Sequence, residues 1–268
     1  MCRRSLMGSV LCRHSFRAAM PLFNLPSNSF CNSARPKRPS NLKGRSPDQQ
    51  RWLVRQFKDP YVIRAQLSNY RSRSAFKLIE IDDRYRILKS GSRVVDCGAA
   101  PGGWTQVAAE RVNARGDKKG AVGRVVAVDK VFMMPVDGAL VLSEHDFTKP
   151  ETRQVILDYF ASHPSEQPSS RINVVLSDMA PSRTGNAECD HDRIVELIYQ
   201  ALLFAVQNLA PGGHFLTKLW DGWAGKKLSD DMSKHFENVS LVKPDSSRDD
   251  SAEIFLLGRT FRGLKRSE

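Results

Sequence analysis

A loop of small residues is the first feature of this chain whose composition could bind a cofactor. It follows a β-branched run and comprises Gly98, Ala99, Ala100, Pro101, Gly102, Gly103 and Trp104. Small residues let the backbone approach a ligand, and the helix predicted from Thr105 directs amide donors and its positive dipole end at the same place. The order Gly-x-x-x-Gly-Gly is not the dinucleotide pattern Gly-x-Gly-x-x-Gly, which argues against NAD. The loop predicts a nucleotide-type cofactor site, with an ordinary turn after a strand as the alternative.

Aspartates end or follow four successive predicted strands, at Asp96, Asp129, Asp146 and Asp178. The carboxyl ends of parallel strands meet at one sheet edge, where ligands of α/β proteins bind. An acid after the second strand is placed to accept hydrogen bonds from two ribose hydroxyls, and one after the third to receive an adenine amino group. Each aspartate alone could instead cap a turn or a helix. Four of them beside one glycine loop favour binding.

Alternating strands and helices must position these residues. Helices are predicted at 73–88, 105–113, 151–162 and 192–209, and strands at 93–97, 124–129, 139–144, 172–178, 214–219 and 254–261. The strands are continuous apolar runs, which is typical of strands buried on both faces. Repeated βα units of this kind predict an α/β fold with a doubly wound parallel sheet covered by helices on both faces.

Charge and length limit the function classes. The 268 residues suffice for one α/β domain of about 200 residues plus a tail. The net charge of +12 and the pI near 9.7 favour a polyanionic partner such as RNA, although basic residues also occur on solvated faces and in targeting segments.

The first 47 residues contain no Asp or Glu but nine Arg or Lys, with apolar residues interspersed. This composition predicts a mitochondrial transit peptide, and a retained basic RNA-binding arm is the alternative. The predicted organisation is a leader at 1–47, a linker and basic segment at 48–69, one domain at 70–263 and a tail at 264–268. Residues 32–50 have the composition of a polar linker.

Cysteine and apolar content exclude several other classes. Outside the leader the only cysteines are Cys97 and Cys189, with no Cys-x-x-Cys pair and no histidine cluster at ligand spacing. Neither a disulfide framework nor a metal site is predicted. No apolar run approaches the ~20 residues of a membrane span, so no membrane span is expected.

Several motifs occur in a fixed order between Tyr70 and Phe261. They are Asp-Cys-Gly-Ala-Ala-Pro-Gly-Gly-Trp (96–104), Ser-Asp-Met-Ala-Pro (177–181), Leu-Ala-Pro-Gly-Gly (209–213), Thr-Lys-Leu (217–219) and Lys-Pro-Asp-Ser-Ser-Arg (243–248). In these motifs the chain resembles the FtsJ/RrmJ-type ribosomal RNA ribose 2′-O-methyltransferases. The resemblance implies a single Rossmann-like class I methyltransferase domain that binds S-adenosylmethionine. The implied cofactor contacts are Gly98, Ala99, Pro101, Gly102, Gly103, Trp104, Asp129, Asp146 and Asp178.

The family uses a Lys-Asp-Lys-Glu constellation, and its counterparts here are Lys77, Asp178, Lys218 and Glu253. Methyl transfer from a sulfonium to a hydroxyl is an in-line displacement, so the protein must position the hydroxyl and remove its proton. A lysine accepts a proton only when it is neutral, a state favoured by burial and a second cation and opposed by nearby carboxylates. Lys218 is predicted to be the base, with Lys77 as second cation and substrate contact and the two acids as orienting groups.

Two segments differ from the family pattern. Ser182-Arg183-Thr184-Gly185 stands where many relatives carry Asn and a smaller residue, and the insert at 115–122 is longer than in compact bacterial members. A phosphate-binding track is predicted near the first helix, although a solvated face explains the same residues. Its members are Arg71, Arg73, Arg84, Lys89 and Arg248.

The combined prediction is a mitochondrial matrix enzyme that methylates a ribose 2′-oxygen in large-subunit rRNA within a ribosomal particle. The resemblance indicates a uridine of the peptidyl-transferase region. We expect a monomer, with other assembly factors as further partners. The alternatives are an assembly factor that serves as an rRNA-binding scaffold, and a tRNA or mRNA cap 2′-O-methyltransferase.

Overall fold

A computed structural model describes residues 44, 46–163, 171–182, 184–248 and 251–264. The predicted leader lies outside the described residues apart from 44, 46 and 47, as does the predicted tail apart from 264. In the described part of the chain, no helix has both the length and the apolar character needed to cross a membrane.

Seven strands form one sheet. They are β1 (Arg93–Cys97), β2 (Arg124–Val128), β3 (Ala139–Leu142), β4 (Ile172–Ser177), β5 (Leu209–Trp220), β6 (Phe236–Val242) and β7 (Glu253–Phe261). Their order across the sheet is β3-β2-β1-β4-β5-β7-β6. The first five strands are mutually parallel, whereas β7 runs antiparallel to both β5 and β6. The predicted doubly wound, mostly parallel α/β sheet is confirmed.

Seven helices accompany the sheet in the described residues. They are α1 (Pro47–Lys58), α2 (Pro60–Leu67), α3 (Ala75–Tyr85), α4 (Gly103–Arg111), α5 (Pro150–Ser162), α6 (Ala187–Asn208) and α7 (Ala224–Ser233). Successive side chains of a strand point to opposite faces, and β1 supplies an apolar core to each. Val95 packs with Ile194 of α6 in one cluster, and Val94 packs with Leu78 of α3 and Val107 of α4 in the other.

The strand order reverses between β1 and β4, which are neighbours in the sheet but lie far apart in the chain. Connections leave toward opposite faces at such a switch point, so a crevice opens beyond the carboxyl ends of the two strands. The glycine loop after β1 and Asp178 after β4 both lie at this crevice.

Some elements differ from the prediction. The segment 48–69 is predicted to be a linker and basic segment, and α1 and α2 cover most of it. The reason is local: Ser46 and Gln49 form a capping box for α1, and Asp59 caps α2 by accepting a hydrogen bond from the Tyr61 amide. Helix α6 begins five residues before the predicted start at 192, because the Asn186 side chain accepts from the amides of Glu188 and Cys189. Helix α7 and strand β6 were not predicted.

Candidate active site

The loop after β1 is held by backbone contacts that only small residues permit. Gly98 has φ +75°, and a Cβ there would lie 2.8 Å from the Met179 backbone. The amides of Gly98 and Ala99 donate to the Val128 carbonyl oxygen at 2.9 and 3.2 Å. The Ala100 amide donates to Asp129 Oδ2 at 2.8 Å. The loop is therefore fixed to the end of β2 on one side and to the segment after β4 on the other.

Arg71 ties this loop to the segment between β2 and β3. Its Nη1 donates to the carbonyl oxygens of Pro101 at 3.2 Å and Met134 at 2.7 Å, and its Nη2 donates to the carbonyl oxygen of Pro135. One planar guanidinium thus joins two loops that border the same crevice.

The second half of the glycine motif packs against the segment before α3. A Cβ on Gly102 would meet Arg71 Nη1 at 2.9 Å, and one on Gly103 would meet Ser72 Oγ at 2.3 Å. Trp104 is buried, and its Nε1 donates to the Ser74 carbonyl oxygen at 2.9 Å. These three residues support the loop from behind.

A cavity of about 830 Å³ opens at the carboxyl edge of the sheet. Of the predicted cofactor contacts, those that line it are Gly98, Asp129, Asp146 and Asp178. The others lie behind it: Ala99 is buried among apolar residues, the Pro101 carbonyl is bound by Arg71, and Gly102, Gly103 and Trp104 pack as described. The structure therefore brings the three predicted aspartates, Asp129, Asp146 and Asp178, together in the lining of this cavity.

One face of α6 forms a wall that the sequence prediction missed. Arg193, Glu196, Leu197 and Gln200 line the cavity together with Met179. Their spacing of three, four and seven residues places them on one side of a helix. The periodicity was visible in the predicted helix 192–209, and only the topology shows that this side faces the cavity.

Asp96 lies beneath the loop and is completely buried. The pKa of Asp96 is raised to about 7, chiefly by burial and to a smaller extent by Asp178 and Asp129, although the hydrogen bond from Thr105 Oγ1 at 2.7 Å lowers it. Among the residues that the structure describes, its Oδ1 has no hydrogen-bond partner. Asp96 is therefore a supporting residue whose charge changes close to physiological pH.

Asp146 carries its charge at the cavity wall. Burial alone would raise the pKa of Asp146, but the side chain and amide of Thr148, at 2.7 and 2.9 Å, and Lys130 Nζ, at 3.1 Å, hold it below its ordinary value. The resulting carboxylate is a strong hydrogen-bond acceptor.

Lys218 and Asp178 form a close pair at the ends of β5 and β4. Lys218 is 8% exposed, and its Nζ lies 2.7 Å from both Asp178 Oδ1 and the Asp178 carbonyl oxygen. The strand register explains the pairing, because Ser177 lies opposite Thr217 in the parallel strands.

Lys77 and Glu253 form a second pair beside the first. Lys77 Nζ lies 2.5 Å from Glu253 Oε1 and 6.0 Å from the centre of the Phe255 ring. Phe255 lies opposite Lys218 in the register of β5 and β7. All four residues of the predicted constellation therefore lie around this end of β5, as two ion pairs.

A further network holds the segment before β7. Ser247 Oγ donates to Glu253 Oε1 at 3.2 Å, and Glu80 accepts from the amide and hydroxyl of Ser246 at 3.0 and 3.1 Å. Buried Asp59 binds both Arg73 and Arg248, the latter at 3.0 Å. Glu253 is thus anchored to α2 and α3 through hydrogen bonds and ion pairs.

For Arg71, Arg73 and Arg248 this network corrects the predicted phosphate-binding track, whereas for Arg84 and Lys89 the track stays a prediction. Arg73 and Arg248 are paired with Asp59, and Arg71 is bound to carbonyl oxygens. Arg84 lies over the ring of Tyr85. Positive charge alone did not distinguish partners within the chain from an external phosphate. In the described ranges no group of three or more His, Cys, Asp or Glu could hold a metal ion.

Comparison with known proteins places this geometry in context. The model of the FtsJ-like methyltransferase family matches residues 70–261. A Drosophila melanogaster protein named "rRNA methyltransferase 2, mitochondrial" is 46% identical over 228 residues, which is 85% of this chain and 88% of that protein. "Ribosomal RNA large subunit methyltransferase E" of Parvibaculum lavamentivorans is 45% identical over 233 residues, 86% of this chain and 88% of that one. A solved Plasmodium falciparum structure, assigned as a ribosomal RNA methyltransferase, has a TM-score of 0.60 at 30% identity and covers 73% of this chain and all of its own.

Proposed function

The chain belongs to the FtsJ-like methyltransferase family, and from this premise we propose that it transfers a methyl group from S-adenosylmethionine to a ribose 2′-oxygen of mitochondrial large-subunit rRNA. The observation that carries the proposal is the pair of lysine–carboxylate contacts, Lys218 with Asp178 and Lys77 with Glu253, beside the acidic cavity. The names of two relatives supply the substrate class, and the name of one supplies the organelle.

The cavity residues fit the proposed cofactor. The backbone at Gly98 borders a space that a Cβ could enter only by displacing Met179. Asp129 is oriented by the amides of Ala100 and Val131, at 2.8 Å each, and retains lone pairs for two ribose hydroxyls. Asp146 would accept the adenine amino group. When bound, the cofactor supplies a methyl group already activated by a positively charged sulfur.

The chain's own residues then have two tasks, positioning and proton removal. In the proposed reaction Lys77 and Glu253 hold the ribose. Lys218 acts in its neutral amine form, and the proton of the 2′-hydroxyl passes to the lone pair of its Nζ. Bound S-adenosylmethionine would supply the methyl group that the oxygen takes up, with its sulfur as the leaving group, and Asp178 fixes the direction of the Lys218 side chain. Holding the two reactants in line removes much of the entropic barrier, and a positioned base adds typically 10²–10⁴-fold.

Several finer features belong to the same proposal. The acid-free leader and the mitochondrial relative favour import into the matrix. The target is a uridine of the peptidyl-transferase region, reached in a ribosomal particle by a monomer working beside other assembly factors.

The test is transfer of labelled methyl from S-adenosylmethionine to mitochondrial large-subunit precursor particles and to free rRNA, by the wild type and by Lys218→Ala. The product is mapped through the resistance of a methylated ribose to alkaline cleavage. Label at one ribose that is lost in the variant supports the reaction and its base. Absence of transfer by the wild type, with the cofactor still bound, would reject the enzyme and leave the scaffold function.

A further inference from the structure

Trp223 lies in the loop after β5, and its indole ring is exposed to solvent. Its side chain is 63% exposed, although aromatic side chains of this size usually contribute to the core. One side of the ring contacts the imidazole of His191, with ring centres 5.5 Å apart and planes at 54°. The rest of the ring is available to a ligand.

The loop that carries Trp223 is fixed at both ends. The Asp221 amide donates to the Ala252 carbonyl oxygen at 2.6 Å, directly before Glu253. The Ala224 amide donates to His191 Nε2 at 3.4 Å. Between them, Gly222 packs so closely that a Cβ would lie 2.5 Å from His191 Cε1. The indole is thus held in place before any ligand arrives, which lowers the entropic cost of binding.

The strand register places this loop beside the proposed reaction site. Trp220, the last residue of β5, lies opposite Glu253. Trp223 follows three residues later, and three residues span at most about 11 Å. A strand whose ribose lies between Lys77 and Lys218 therefore passes within reach of Trp223 with a neighbouring nucleotide.

The surroundings of Trp223 favour a nucleic acid over a protein. From Asp221 to Lys227 it is the one exposed apolar side chain, so its neighbours in the sequence add no apolar surface to it. Lys226 and Lys227 are exposed in the first turn of α7. A rigid aromatic ring followed by two cations matches single-stranded RNA, whose bases stack on aromatic side chains while its phosphates contact basic ones.

We propose that Trp223 is a stacking platform for an unpaired base next to the methylated nucleotide, with Lys226 and Lys227 contacting the adjoining phosphates. This inference rests on the proposed function for the identity of the RNA. It assigns to the chain a base contact outside the Lys77, Asp178, Lys218 and Glu253 constellation.

The test measures the affinity of the full chain for a short fluorescein-labelled single-stranded RNA and for the same strand with abasic positions. Trp223→Leu should weaken binding of the normal strand on the order of 5- to 100-fold, since each stacked base contributes roughly 1–3 kcal/mol. For the abasic strand, Trp223→Leu should bind with the same affinity as the wild type. Trp223→Phe should restore most of the affinity, and Leu241→Ala, at another exposed apolar residue on β6, should have no effect.

Salt dependence separates the two kinds of contact. Stacking releases no counterions, so Trp223→Leu should leave the slope of log affinity against log salt unchanged, whereas the double variant Lys226→Gln and Lys227→Gln should reduce it. Equal affinity of the Leu variant and the wild type would overturn the proposal. Equal losses in the Phe and Leu variants, or a loss confined to assembled particles, would also overturn it, and the latter would indicate a protein partner.

Binding is measured without methyl transfer, so the two proposals fail separately. A wild type that methylates no RNA but binds it through Trp223 rejects the proposed function alone. Normal methylation with no dependence on Trp223 rejects the stacking platform alone.

Discussion

Glu253 is the first residue of β7, yet it shares a sheet face with Lys218 near the end of β5. Because the two strands are antiparallel, Glu253 lies opposite Trp220, two residues beyond Lys218 on the same face. A parallel strand would have placed its first residue at the far edge of the sheet. The reversed direction of β7 therefore completes a group of residues that otherwise follow the ends of parallel strands.

An arginine at position 218 should not be able to replace Lys218 as the base. Lys218→Arg keeps the charge beside Asp178, but a guanidinium stays protonated and cannot take a proton. We expect both Lys218→Arg and Lys218→Ala to lower kcat roughly 10²–10⁴-fold with cofactor affinity nearly unchanged, as measured by labelled methyl transfer and calorimetry. Retention of activity in the Arg variant would show that Lys218 contributes charge only.

Gly98→Ala should be much more damaging than Gly212→Ala. Both glycines have positive φ, +75° and +82°, but an added Cβ meets the Met179 backbone at 2.8 Å at the first and nothing within 4 Å at the second. We expect Gly212→Ala to cost about 1–2 kcal/mol of unfolding free energy through backbone strain. Gly98→Ala should cost more and also abolish cofactor binding. Denaturant unfolding and calorimetry measure the two effects, and equal costs would contradict the close packing.

Arg71→Ala should weaken cofactor binding, although the Arg71 side chain is not a proposed cofactor contact. The guanidinium holds the carbonyl oxygens of Pro101 and Met134, and its loss frees two loops that border the cavity. With each hydrogen bond contributing about 0.5–1.5 kcal/mol net, we expect an affinity loss of roughly 10-fold. Arg84→Ala, which removes a cation stacked on Tyr85, is the matched control and should bind normally. An unchanged affinity in Arg71→Ala would assign Arg71 to another role.

Asp96 should make the folded protein less stable as pH rises toward neutrality. The pKa of Asp96 is raised from 3.8 to about 7 by burial, so folding favours the protonated form. The stabilising contribution of Asp96 to the free energy of unfolding is fully present below about pH 4. It is lost as the pH rises through about 7. His214, whose pKa burial lowers to about 4, drives the opposite trend. Comparison with Asp96→Asn cancels the His214 contribution, because it is common to both proteins.

The measurement is urea unfolding of wild type and Asp96→Asn across this pH range. The unfolding free energy of the wild type should decrease relative to that of the variant as pH rises. Parallel curves would show that Asp96 keeps its charge in the folded state.

Different parts of the structure were predictable to different degrees. Continuous apolar runs such as residues 125–128 identify a strand by themselves. The ends of the predicted strands then indicate which aspartates lie at the edge of the sheet. Strand β6 has no such pattern, because only Phe236 and Val242 are buried, and α7 is short, with two of its four buried positions occupied by Ala224 and Gly225. No local sequence pattern indicates that β7 runs antiparallel to its neighbours.

The candidate site shows the same division. Asp129, Asp146 and Asp178 lie where strand ends predicted them. The pairing of Arg73 and Arg248 with Asp59 joins residues up to 189 positions apart, and no local pattern links them. The α6 wall was visible as a periodicity, but the side that faces the cavity depends on how the helix packs.

Asp59 also determines which piece of the chain can be studied in isolation. The matched family region begins at residue 70, whereas Asp59 precedes it and neutralises Arg73 and Arg248 inside that region. A fragment trimmed to the family boundary would leave two guanidinium groups without their shared carboxylate. A piece of the chain that keeps this shared carboxylate therefore starts at or before Asp59, upstream of the matched region.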